Sequence, residues 1–184
     1  DYAHNKGVIH RDIKASNVLF DDQGSPFLVD FGIAKLVNTT TGLTGTGVAM
    51  GTPSYMSPER VRNAPDVDHR SDIWSVGVVL HELITGRGVF DAPTVAETCA
   101  RVASDAPIEL ESNDAVLPPA LRRIIERCLE RDPSQRYQSV EELAAALVPL
   151  GTMTERFRGR STGALSGRLV DERLAATRAR RSQP

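Results

Sequence analysis

The chain has 184 residues, 40% of them apolar and 25% charged, which is the composition of a folded globular protein with room for one sizeable core and not of a fibrous or low-complexity chain. The formal net charge of −2 is unevenly placed: residues 151–184 hold eight arginines against Glu155, Asp171 and Glu172, a net of +5, which leaves −7 on residues 1–150. The longest apolar stretch, Val76 to Ile84, is broken by His81 and Glu82 and falls far short of the roughly 20 residues a bilayer span needs.

Taken from the N-terminus, Asp1 to Gly7 reads as the last turn of a helix, with Lys6 near its end and Gly7 as a left-handed cap. No signal peptide pattern is present, and a first residue of Asp rather than Met leads us to expect a piece of a longer protein. Val8-Ile9, Val18-Leu19-Phe20 and Phe27-Leu28-Val29 are short apolar runs, expected to be small strands, the last two joined by the turn Asp21-Asp22-Gln23-Gly24. Between the first two lies a polar loop, residues 10–17, in the kind of position where rigid frames carry chemistry. Lys35 to Met50 is Thr- and Gly-rich with no apolar period and reads as a long loop.

Helices are expected after Pro58. Ser71 to Thr85 is a mostly apolar helix stopped by Gly86, and its wide hydrophobic surface predicts burial on most sides. Thr94 and Glu97 form a capping box for a short helix to about Ala103. Leu121, Ile124, Ile125, Cys128 and Leu129 fall on one face of an amphipathic helix entered through Pro118-Pro119. Ser139 with Glu142 caps a last helix ending near Leu150. Beyond Gly151 the Gly-, Ser-, Thr- and Arg-rich sequence reads as a disordered linker. It lacks the aromatic interleaving of a nucleic-acid-binding segment, so no nucleic acid partner is expected. Cys99 and Cys128, 29 positions apart and in no metal-ligand spacing, are expected to be buried thiols in a reducing cytoplasm.

The chemistry concentrates in His10-Arg11-Asp12-Ile13-Lys14-Ala15-Ser16-Asn17 and in Asp30-Phe31-Gly32. Phosphoryl transfer from a nucleotide needs an in-line hydroxyl, a proton acceptor and neutralisation of developing charge. Asp12 suits the acceptor, Lys14 on the same side of an extended loop suits the transferred phosphate, and Asn17 and Asp30 are hard oxygen ligands suited to magnesium. Gly32 permits a sharp turn after Phe31.

This arrangement resembles the eukaryotic-type protein kinase family, in which H-R-D-x-K-x-x-N is the catalytic loop and D-F-G the magnesium-binding motif. The resemblance implies a mainly helical fold with a few short strands, the C-terminal lobe of a kinase over residues 1–150, with the nucleotide-gripping N-lobe absent from the sequence and residues 151–184 as a tail. It implies that Asp12 is the catalytic base, Lys14 a phosphate contact, and Asn17 and Asp30 the magnesium ligands; Leu19 packs beneath adenine, and His10 and Phe31 join a stacked apolar spine. ATP and Mg2+ are the implied cofactors and a protein the implied substrate. Gly51-Thr52-Pro53-Ser54-Tyr55-Met56-Ser57-Pro58-Glu59 resembles the end of an activation segment, with Ser57 where the family most often has Ala.

Glu59 is expected to pair with Arg136, and Asp72 to start the central helix and hold the catalytic-loop backbone, with Ser71 or Asp72 otherwise a helix cap. Lys14 together with Thr52 resembles serine/threonine rather than tyrosine kinases, and the Gly86-Arg87-Gly88-Val89-Phe90 connection is similar to bacterial members. Arg11 beside Asp12 suggests control by phosphorylation, with Thr44 and Thr46 as candidate sites. Two classes of function stand: an enzyme, competent within a longer parent whose membrane anchoring the sequence leaves open, and a kinase-like regulatory or binding module without catalysis. Retention of Asp12, Lys14, Asn17 and Asp30 together favours the enzyme.

Overall fold

The computed structural model describes residues 2–30, 52–110 and 117–158, with side chains as far as residue 151. By backbone packing the chain divides into two units, residues 1–147 and 148–184. Among the described residues the first is mainly helical with one small sheet. It contains α1 (Tyr2–Asn5), β1 (Val18–Phe20), β2 (Pro26–Leu28), α2 (Pro58–Val61), α3 (Arg70–Thr85), α4 (Val95–Ala103), α5 (Pro119–Cys128) and the start of α6 (Val140–Arg158). The described part of the second unit is the remainder of α6. Among the described residues no helix is long and apolar enough to cross a membrane.

The core is built on α3, which buries Ile73, Trp74, Val78 and Val79. Trp74 is fully buried, stacked at 5.5 Å on Phe90, with the Arg136 guanidinium 5.1 Å from its ring, a cation–π contact. α5 packs on α3 and buries Leu121, Ile124, Ile125 and Cys128, the face that the i, i+3, i+4, i+7 spacing marks. Their approach is close at Gly77, where an added Cβ would lie 2.6 Å from Cys128 Cβ and 3.2 Å from Leu129 Cδ2. Gly77→Ala is therefore expected to destabilise the fold by about 1–3 kcal/mol through overpacking, read as a lower urea midpoint. Burial also pushes the Cys128 thiol up to about 12, so it stays protonated.

Helix ends follow the local chemistry. Gly86 caps α3 at φ 70°, its N–H donating to Glu82 O at 2.8 Å. Thr94 Oγ1 accepts from Glu97 N at the start of α4, and Ser139 Oγ from Glu142 N at the start of α6.

Four expectations are corrected. The last helix does not stop near Leu150 but runs to Arg158, with Pro149 inside it; proline and Gly151 lower helical stability without forbidding it. Val8-Ile9 is not a strand: among the described residues β1 pairs only with β2, and Val8 N is used in closing α1 onto Ala3 O. β2 sits one residue earlier than expected, with Pro26 opposite Phe20 at the end of the ladder, where a missing N–H is tolerated. Cys99 is half-buried, because the inner face of α4 is set by Thr98 and Val102, four residues apart.

Candidate active site

One end of α3 organises the loop that carries the chemistry. Asp72, in its first turn and 1% exposed, accepts the backbone N–H of His10 at 2.8 Å (Oδ2) and of Arg11 at 2.9 Å (Oδ1). His4 Nε2 meets the same Oδ2 at 2.8 Å, which ties α1 to this anchor. Hydrogen bonds to an ionised acceptor in a buried setting are among the stronger ones available, so two residues of the loop are fixed from below. Ser75, one turn on, donates to Tyr55 O at 2.8 Å, and Ser71 Oγ donates to Glu59 Oε1 at 2.6 Å. Residues 71, 72 and 75 thus hold α1, the loop and the segment 55–59 from about one turn of helix.

Above this anchor the loop brings Asp12, Lys14 and Asn17 together. Lys14 Nζ lies 3.3 Å from Asp12 Oδ2. Asn17, 5% exposed, donates from Nδ2 to Asp12 O at 2.8 Å and to Asp12 Oδ2 at 3.3 Å. Its N–H side is thereby directed at Asp12, leaving the amide oxygen as the atom able to face a cation. Asn17 O accepts from Val29 N at 2.9 Å, which tethers the residue preceding Asp30. Asp30 has φ 59° and Arg11 φ 64°, left-handed values that a non-glycine residue holds only when its surroundings enforce them. Leu19 is half-buried on β1 opposite Phe27.

A metal or cofactor enters only through the chemistry of these donors. Among the described residues no group of three His, Cys, Asp or Glu side chains is placed to hold a metal. One amide oxygen and one carboxylate, with phosphate and water completing the shell, is nevertheless the donor set that magnesium accepts, so Asn17 and Asp30 fit the ion.

The segment ending at Glu59 docks on the core through a buried ion pair. Arg136, fully buried, gives two parallel bonds of 2.8 Å to the Glu59 carboxylate and further bonds to the carbonyls of Glu130, Arg70 and Arg131. Burial alone would raise the Glu59 carboxyl. Bonds from Arg136 and Ser71, with the Arg136 charge, outweigh it and hold the group at about 2. Ser57 is given a role that alanine could not fill, donating to Ser71 Oγ at 3.0 Å in line with the bond from Ser71 to Glu59. Thr52 is exposed at the edge of a small cleft that it shares with Arg11, Asp12 and Arg60.

His10, Arg11, Asp12, Lys14, Asn17 and Asp72 are therefore contiguous, and Glu59 and Arg136 are bonded to each other. Phe31, Gly32, Thr44 and Thr46 lie outside the described residues. Sequence reasoning missed His4, the Ser57–Ser71–Glu59 chain, Ser75 and Arg60. Serines at positions 71 and 75 of a mostly apolar helix are a usable signal, since buried hydroxyls need partners; the sequence carries no such signal for His4 and Arg60.

A protein kinase domain model matches residues 1–147. The chain belongs to the protein kinase domain family. It is 38% identical over 143 residues to a probable serine/threonine-protein kinase of Clostridium acetobutylicum, covering 78% of this chain and 22% of that protein. It is 40% identical over 151 residues to the serine/threonine-protein kinase pkn2 of Myxococcus xanthus, covering 78% and 18%. With the serine/threonine-protein kinase PknD of Mycobacterium tuberculosis it shares 38% identity over 157 residues, covering 85% and 23%. The chain spans about a fifth of the length of these curated relatives.

Proposed function

We propose that this chain is the substrate-facing lobe of a serine/threonine protein kinase, which transfers the γ-phosphoryl group of ATP to an aliphatic hydroxyl of a protein. The observation that supports this reading is the cluster in which Lys14 Nζ and Asn17 Nδ2 each lie 3.3 Å from Asp12 Oδ2, on a loop whose backbone is held by the buried Asp72. Asp12 orients the substrate hydroxyl and takes its proton as the oxygen bonds to phosphorus and the bond to the ADP oxygen breaks. Lys14 places a compact positive charge beside the transferred phosphate. Asn17 and Asp30 would hold magnesium, which supplies neutralisation of phosphate charge when bound. Arg136 and Glu59 fix the segment against which the substrate lies.

The nucleotide's base and remaining phosphates are gripped by a second lobe in a longer parent, and the reaction takes place in the cytoplasm, where ATP is available and thiols stay reduced. Purified residues 1–184 are accordingly expected to transfer negligible radioactive phosphate from ATP to a generic basic protein, while the longer parent transfers it readily. Transfer by the isolated chain that is abolished in Asp12→Asn would overturn the dependence on a second lobe.

A further inference from the structure

Arg11 is held in a left-handed conformation at φ 64°, one residue before Asp12. Its N–H is bound by Asp72 Oδ1 at 2.9 Å, and its carbonyl accepts from Arg60 Nη1 at 2.7 Å. The Arg11 carbonyl and the Asp12 N–H belong to one rigid peptide plane, so whatever fixes the carbonyl sets the direction in which the Asp12 Cα carries its side chain. The bond from that N–H to His10 Nδ1, at 3.3 Å, is the longer of the two on this plane. Arg60 is half-buried on α2, immediately after Glu59, among the charges of Asp72, Arg11 and Asp12. Adjacent residues of one short helix thus point to different anchors: Glu59 to the core through Arg136, and Arg60 to the loop that bears Asp12.

We propose that Arg60 is a positioning residue for phosphoryl transfer, clamping the Arg11–Asp12 peptide so that the Asp12 carboxylate keeps its aim; this rests on the kinase reading above. The side-chain contacts of Asp12 with Lys14 and Asn17 involve groups assigned to the phosphate and the cation. When Lys14 turns to the phosphate, the hold on the backbone from Arg60 persists, because its acceptor is a carbonyl that no ligand needs. Arg60 also couples the docked end of the activation segment to the base.

The test uses the full-length protein that contains this chain, with Arg60→Ala, Arg60→Lys and Asp12→Asn compared by steady-state kinetics, thermal melting and hydrogen exchange. Arg60→Ala is expected to lower kcat by about 10-fold or more with KM for ATP within about 2-fold of wild type, as for a misaimed catalytic group. The Asp12 amide is expected to exchange faster, and Arg60→Lys, which keeps a cationic donor, to recover much of kcat. Unchanged kcat in Arg60→Ala would overturn the proposal, as would a loss of kcat that follows the melting temperature and is not relieved by lysine. If Arg60→Ala is silent while Asp12→Asn is inactive, the positioning role fails and the kinase reading stands; an active Asp12→Asn overturns both.

Discussion

Replacing Asp12 by asparagine in the full-length protein is expected to lower turnover by about 100- to 10,000-fold, the usual contribution of a positioned proton acceptor. Asparagine has nearly the same shape, so the hydroxyl-binding geometry survives while the proton loses its destination. The backbone of the loop is held by Asp72 through the amides of His10 and Arg11, neither of which involves the Asp12 side chain. Melting temperature should therefore stay close to wild type, which separates loss of chemistry from loss of fold. Wild-type turnover in Asp12→Asn would remove Asp12 from the reaction.

The second large effect concerns stability. Arg136→Met leaves the Glu59 carboxylate without its bidentate partner in a largely buried site, a change that typically costs about 3–5 kcal/mol. At about 2–4 °C per kcal/mol for a domain of this size, the melting midpoint should fall by roughly 6–20 °C. Glu59→Leu combined with Arg136→Met should recover part of this, because the strand of the cost that comes from an unpaired buried charge is then gone. The pair also predicts a pH window. Glu59 is held at about 2 against an ordinary 4.5, so its contribution is complete above pH 4.5 and is lost as pH falls toward 2. The stability gap between wild type and Arg136→Met should narrow across that interval. A constant gap from pH 5 to pH 2 would show that the ion pair is not what docks the segment.

How much of this was legible in the sequence depends on how local each cause is. The stop of α3 at Gly86 and the caps at Thr94 and Ser139 were readable because each is made by residues within four positions of one another. The end of α6 is not legible because Pro149 and Gly151 are penalties, not prohibitions, and their net effect depends on the whole helix. Asp12, Lys14, Asn17 and Asp30 are marked as candidates by motif spacing, yet spacing alone does not say that Asn17 turns its amide nitrogen to Asp12. The contacts of His4 with Asp72 and of Arg60 with Arg11 bridge 68 and 49 positions, and no local pattern encodes such a meeting. The Ser57 hydroxyl looked like a small substitution; only the fold brings it to Ser71.

In the proposed function the Asp12-centred loop directs phosphate to an aliphatic hydroxyl. This is tested most directly by incubating the full-length protein with γ-labelled ATP, magnesium and a protein substrate, and identifying the labelled amino acid after hydrolysis. Phosphoserine or phosphothreonine is expected, absent when Asp12 is replaced by asparagine. Label on tyrosine, or label on serine and threonine that persists undiminished in Asp12→Asn, would contradict it.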